Sequence, residues 1–272
     1  MTVKSKTENM ALFCDLENVA LGVRDAKYEA FDIQKVLERL LLKGSIVVKK
    51  AYCDWERYRE FKKTMHEAAF ELIEIPHVRQ SGKNSADIRM VVDALDLCYT
   101  KAHVDTFVII SGDSDFSALV SKLRENNKIV IGVGVKKATS DLLISNCDEF
   151  IFYDDLVRET EKRRKARLLR SKQKTAPRTT VAKSKDERRQ EGLDLVMGTV
   201  EALFEERGEE EKVWGSMVKQ AIKRRNPGFS EAYHGFQTFG KLLEAAQDLK
   251  LLELEFDEKS GGYIIKSFTH EE

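Results

Sequence analysis

Short apolar runs rich in β-branched residues recur through the first 155 positions: ALFCD from Ala11, SIVVKKAYCD from Ser45, FELIEIP from Phe70, TFVIIS from Thr106, KIVIGVGV from Lys128 and EFIFYD from Glu149. Between them, apolar residues fall at helical spacing over Asp32 to Lys43, Glu56 to Phe70, Ser85 to Tyr99, Ser114 to Asn126 and Ser140 to Cys147. Runs of strand length alternating with helices predict an α/β fold: a parallel sheet covered by helices on both faces, in three layers. The run Phe107-Val108-Ile109-Ile110 reads as a strand buried on both sides, stopping at Ser111-Gly112. Asp113 and Asp115 then stand at a strand's carboxyl end, where open α/β sheets bind ligands.

After Leu169 the apolar content almost disappears, and it returns beyond Gln190 in LDLVMGTVEALF, VWGSMVKQAIKRR and FGKLLEAAQDLKLL. LELEF, the turn DEKSGG and YIIKSF follow as a hairpin, so the end of the chain reads as three helices and a wing, a small winged-helix-like domain. The expected organisation is a first domain over residues 1–157, a linker over 158–190 and a second domain over 191–272. Charge sharpens this division, although the whole chain is neutral. Residues 1–157 hold 22 basic against 25 acidic side chains, 158–190 hold 14 against 4, and 191–272 hold 10 against 17. The middle segment is therefore a strongly basic tether whose first half can extend as a charged helix. As coil it would span roughly 30 Å, letting two modules act on one extended partner.

With 42% hydrophobic residues, a chain of 272 can bury a substantial core. Cys14, Cys53, Cys98 and Cys147 are scattered without CxxC spacing, which argues against a zinc site or a disulfide framework and for a reducing compartment. The first residues lack a secretory apolar segment, and no stretch approaches the roughly 18 apolar residues that cross a bilayer, so a cytoplasmic protein is expected. Neither GxxxxGK[ST] nor a helix-opening GxGxxG occurs. His66, His77, His103 and His234 share no spacing that suggests a metal site or a triad, and Trp55 and Trp214 read as packing residues.

Acids and an amide stand at four strand ends: Asp15 and Asn18, Asp54, Asp113 with Asp115, and Asp154; Asp87 falls in the first turn of a helix. Each has a structural use. Asp113 or Ser114 can cap the following helix, Asp87 can complement a helix dipole, Asn18 can hold a turn, and Asp54 and Asp154 fit loop or cap positions. Asp15 has no evident cap role, and one cap does not need two carboxylates. Several acids on one sheet edge repel unless a cation lies among them. Oxygen donors without His or Cys select Mg²⁺ or Mn²⁺ and suit phosphodiester hydrolysis. Asp93, six residues after Asp87, lies about 120° around the helix, so joint ligation is hard. Lys83, Lys136 and Lys137 are placed to hold a phosphate backbone, with solvated surface positions as the plain alternative.

FCDLENV, KNSADIRMVVDAL and VIISGDSDF together resemble the NYN family of PIN-like ribonucleases, in its bacterial LabA-like branch, over residues 9–155. The resemblance implies a metal-dependent endoribonuclease with Asp15, Asp87, Asp113 and Asp115 as metal ligands and Asn18 as the polar residue beside the first. The family often has Lys-Gly where this chain has Lys83-Asn84. AIKRRNPGFSEAYHGFQTFGKLLEAA resembles the OST-HTH (LOTUS) domain, which implies RNA binding and, in some relatives, protein partners. Phe236, Phe239 and Leu242 there read first as a core stripe, while Lys223, Arg224 and Arg225 make a basic helix end able to meet phosphates. The expected partner is single-stranded RNA, with the tether as its electrostatic anchor. The leading reading is a divalent-metal RNA endonuclease, and the alternative is a non-catalytic RNA-binding adaptor. A haloacid-dehalogenase-type phosphatase is disfavoured, because Glu17 stands where that chemistry needs a second Asp after Asp15.

Overall fold

The computed structural model describes residues 8–75, 85–172, 185–208 and 211–269, the stretch 163–172 by its backbone alone. The chain divides into an N-terminal unit, most of residues 7–175, and a C-terminal unit that takes in residues 176–272.

The N-terminal unit runs β1 (Glu8–Asp15), α1 (Leu16–Asp25), α2 (Ile33–Lys43), β2 (Gly44–Cys53), α3 (Arg59–Glu67), β3 (Glu71–Glu74), α4 (Ser85–Thr100) and β4 (Thr106–Ile110). A 3-10 turn (Ser114–Phe116) leads into α5 (Ser117–Glu125), followed by β5 (Ile129–Gly134), α6 (Asp141–Asn146), β6 (Glu149–Phe152) and α7 (Tyr153–Lys172). The six strands form one sheet in the order β3-β2-β1-β4-β5-β6, and every pairing is parallel.

Alternation along β1 explains the three layers. Met10, Leu12 and Cys14 face one side, where they pack with residues of α1, α2 and α7 such as Val19, Leu40 and Leu156. Ala11 and Phe13 face the other, against Met90 and Leu97 of α4 and Leu119 of α5. Both sets are fully buried, as a central parallel strand requires. Phe13 stacks on Phe107 of the neighbouring strand with ring centroids 6.0 Å apart.

Helix α1 is the element that the hydrophobic pattern did not announce. The apolar run of β1 passes into Leu16, Val19 and Val23 of α1 with no Gly or Pro between, and the junction is marked by Asp15 alone.

The C-terminal unit contains α8 (Lys185–Arg207), β7 (Val213–Trp214), α9 (Gly215–Arg225), α10 (Phe239–Asp248), β8 (Leu252–Asp257) and β9 (Gly262–Phe268). Its antiparallel sheet has the order β7-β9-β8, and helix, strand, two helices and hairpin give a winged-helix arrangement. Phe236, Phe239, Leu242 and Leu243 are buried in its core with Phe229, so the aromatic stripe packs rather than reads a ligand. Within the expected linker, α7 continues to Lys172 and α8 begins at Lys185, so the described parts of that segment are helical. All four cysteines are free thiols, and among the described residues no helix is long and apolar enough to cross a membrane.

Truncating a stacked ring in the middle of the sheet leaves a void that the strands cannot close. Phe13→Ala is expected to cost about 3–5 kcal/mol, read as a lower midpoint in urea unfolding.

Candidate active site

In the strand order β3-β2-β1-β4-β5-β6, the chain leaves β1 towards one edge of the sheet and leaves β4 towards the other. The chain thus diverges from two adjacent strands at their carboxyl ends, the switch point where open sheets receive ligands. Asp15 ends β1, and Ser111, Gly112 and Asp113 follow β4.

Asp15 is 7% exposed. One carboxylate oxygen accepts the Asn18 N–H at 3.3 Å, capping α1, and the other accepts the Ser111 hydroxyl at 3.0 Å. Ser111 Oγ in turn accepts the Asp113 N–H at 3.2 Å. The Asn18 side-chain oxygen accepts the Gly112 N–H at 2.8 Å, tying the start of α1 to the end of β4. Asp113 caps the 3-10 turn by accepting the Asp115 N–H at 3.0 Å. The cap foreseen for Asp113 is therefore present, the Asn18 side chain ties two distant segments instead of holding a local turn, and Asp15, which had no evident cap role, is itself a cap.

Gly112 has a reason other than a left-handed turn, since its φ is not positive. A Cβ there would run into the Ala138 carbonyl of the loop after β5, and Gly112 C=O accepts the Ser140 N–H at 2.9 Å. Glycine lets the loops after β4 and β5 meet beside the start of α1.

Electrostatics distinguish Asp15 and Asp87 from ordinary surface acids. Burial pushes the Asp15 carboxyl from its usual 3.8 up to about 7; Asp87 and Asp113 add to this, while the Asn18 and Ser111 hydrogen bonds work against it. Asp87, in the first turn of α4, is raised to about 6 by partial burial and then by Asp113, Asp115 and Glu17. Asp15, Asp87, Asp113 and Asp115 thus share one electrostatic neighbourhood. Among the described residues, no three His, Cys, Asp or Glu side chains are drawn together closely enough to form a finished metal site. The chemistry of the donor set still suits a hard divalent cation: all donors are oxygens, and burial and then mutual repulsion, which raise two of them, are both offset by such an ion.

Asp54 accepts the Glu56 and Arg57 N–H groups, and Asp154 accepts the Tyr28 hydroxyl and the Lys136 N–H, so both are structural. Asp93 accepts from Tyr52, Lys50 and Arg89, fastening α4 to β2. Lys136 and Lys137 are exposed just beyond β5, with the Lys136 ammonium 5.7 Å from the Phe152 ring centroid. Lys83 lies outside the described residues. Lys223, Arg224 and Arg225 occupy the last turn of α9. Sequence reasoning missed Ser111, whose place between a buried strand and the paired acids was the available signal. It also missed the ion pair of Glu17 and Arg57 (3.6 Å), for which no pattern in the chain gave notice.

A doubly wound parallel sheet with carboxylates near its switch point defines the class, an open-sheet α/β domain. A sequence profile of the NYN domain matches residues 9–154, and the chain belongs to this family, within the PIN-like nuclease superfamily. An uncharacterized protein of Methanocaldococcus jannaschii is 27% identical over 147 residues, which are 53% of this chain and 58% of that protein, so the chain spans less than two thirds of that relative's length. A crystal structure of a protein of unknown function from Vibrio parahaemolyticus, 29% identical, superposes with a TM-score of 0.50 over 56% of this chain and 97% of the other.

Because the Asp15 pKa is higher folded than unfolded, the native state holds a proton that the unfolded state has released between about pH 4 and pH 7. Without metal, stability therefore falls as the pH rises through that window and stays lower above it. Asp15→Asn removes the charge, keeps an amide oxygen to accept the Asn18 N–H and turns the second bond round so that its NH₂ donates to Ser111 Oγ, so at pH 8 it is expected to be more stable than the wild type by on the order of 4 kcal/mol. The difference in melting temperature should shrink towards zero by pH 4. Gly112→Ala forces the loop bearing Ala138 outward and is expected to destabilise by about 1–3 kcal/mol in urea unfolding.

Proposed function

We propose that the N-terminal unit is a divalent-metal-dependent RNA endonuclease. The observation that carries this reading is the buried Asp15 carboxyl at the switch point, held by fixed hydrogen bonds while neighbouring acids raise its proton affinity. Asp15, Asp87, Asp113 and Asp115 are the residues that would hold Mg²⁺ or Mn²⁺. When bound, such an ion polarises the phosphoryl oxygen, lowers the pKa of a coordinated water and offsets the repulsion between carboxylates and a polyanion.

The chain's own residues supply placement. Ser111 and the Asn18 N–H orient Asp15, and the Asn18 side chain locks the Gly112 backbone so that Asp113 keeps a fixed position. Arg57 on the β2 side and Lys136 and Lys137 on the β5 side flank the switch point and suit the RNA backbone, with Lys83 as a further candidate. The basic 158–190 segment adds sequence-independent affinity, and the winged-helix unit, which resembles the OST-HTH domain in sequence, is proposed as an RNA-binding module using Lys223 and Arg225, since the half-buried Arg224 guanidinium is already bonded to backbone carbonyls, or as a contact for a protein partner. A cytoplasmic location fits these roles.

A second reading has its own support. The carboxylates are not gathered into a finished ligand set among the described residues, and Asp15 and Asp113 already serve as caps. That arrangement suits an RNA-binding adaptor that keeps the fold without turnover.

Labelled single-stranded RNA incubated with the full chain and Mn²⁺ separates the two. The nuclease reading expects metal-dependent cleavage that falls at least about a hundredfold in Asp15→Asn/Asp113→Asn, together with a Mn²⁺-induced rise in melting temperature that the variant lacks. Tight RNA binding with no cleavage in either protein establishes the adaptor instead.

A further inference from the structure

Helix α4 is apolar on two faces. Its inward face packs Met90, Ala94, Leu97 and Cys98 into the core. Its outward face carries Ile88, Val92 and Tyr99 at 62%, 55% and 64% exposure, with half-buried Leu95 completing a stripe at 88, 92, 95 and 99. Spacings of four, three and four make a continuous seam along a helix. An exposed seam of large apolar side chains marks an interaction surface.

We propose that this face is a homodimer interface, in which α4 packs antiparallel against α4 of a second copy about a two-fold axis at Val92. An isologous interface must be complementary to itself, which most surface stripes are not. At about 100° per residue, with Val92 at the front, Ile88 and Leu95 lie on one flank, and Arg89 and Asp96 lie on the other. A two-fold axis perpendicular to the helix reverses its direction and keeps each flank on its own side. Ile88 therefore meets the partner's Leu95, and Arg89 meets the partner's Asp96, one residue's rise apart. Ser85, in a depression shared with Ile88, Arg89, Val92, Asp93 and Asp96, meets the partner's Tyr99, so the smallest side chain of the stripe receives the largest.

The charges fit this occupant. Arg89 uses Nε for Asp93 at 3.1 Å, leaving its other guanidinium nitrogens for a second carboxylate. The Asp96 carboxylate makes no hydrogen bond or ion pair among the described residues. Asp93 and Asp96 beside the seam disfavour a nucleic-acid backbone there, which points to protein. Asp87 lies about 140° around the helix from Val92, so pairing leaves it facing its own site.

This inference is independent of the nuclease reading, and its test needs no RNA. Light scattering on the eluting full chain at tens of micromolar is expected to give twice the monomer mass of 31.1 kDa. Val92→Glu, at an exposed position, should halve that mass while leaving the circular dichroism spectrum unchanged. Val92→Cys should form an intermolecular disulfide in mild oxidant, since the two copies of the residue meet on the axis. A monomeric wild type, or a dimer that survives Val92→Glu and fails to cross-link at residue 92, overturns the proposal and assigns the face to a different partner.

Discussion

A carboxyl group taken out of water at the end of a central strand is the constraint around which the N-terminal unit is arranged. Asp15 gives up hydration and receives two hydrogen bonds, from a backbone N–H and from the Ser111 hydroxyl, while Asp87 and Asp113 oppose its ionisation. Two bonds do not offset full burial, and the carboxyl therefore keeps its proton to near-neutral pH unless a cation replaces it. Its neighbours are fixed by the same requirement. Asn18 bonds Gly112 so that the β1 and β4 ends stay in register, and Gly112 lacks a side chain because the loop after β5 closes over it. The start of α1 and the loops after β4 and β5 are therefore pinned together at the switch point.

Much of this could be read in the chain, and the parts that could not have identifiable causes. Strand runs such as Phe107 to Ile110 announce themselves because a parallel strand is buried on both faces, so the parallel sheet and the acids at its edge followed directly. Helix α1 was hidden because its apolar positions continue the run of β1 without a breaker, and the one punctuating residue, Asp15, looked like a ligand rather than a cap. Gly112 marks the end of a strand run in the sequence, but its use is not legible there, because contact with Ala138 involves a loop 26 positions away. Ser111 and the pair of Glu17 with Arg57 depend likewise on which strands become neighbours, and hydrophobic periodicity does not encode strand order.

Capping and metal ligation are often treated as rival uses of an aspartate, and here they are compatible. A carboxylate offers about four lone-pair positions, and each Asp15 oxygen has one hydrogen bond, as does one oxygen of Asp113. Bonds from fixed donors remove rotamer freedom, so a capped carboxylate loses less entropy on binding a cation than a free one. Capping therefore leaves these carboxylates free to serve as ligands, at the β1–α1 junction and in the short loop after β4.

Asp87 poses a different mechanical problem, because it arrives on a helix rather than a strand end and is repelled by the acids it approaches. The dipole at the start of α4 offsets part of that cost. The remainder is resisted further along, where Asp93 accepts from Tyr52 at 2.9 Å and from Lys50 at 3.2 Å on β2. Those bonds lie almost two turns from Asp87, and the inward stripe of Met90, Ala94 and Leu97 extends the same hold. A helix clamped over its length cannot swing its first turn away from like charges without breaking contacts elsewhere. The electrostatic tension is thus confined to protonation of the acids or to their neutralisation by a cation, and is not dissipated by movement of the helix.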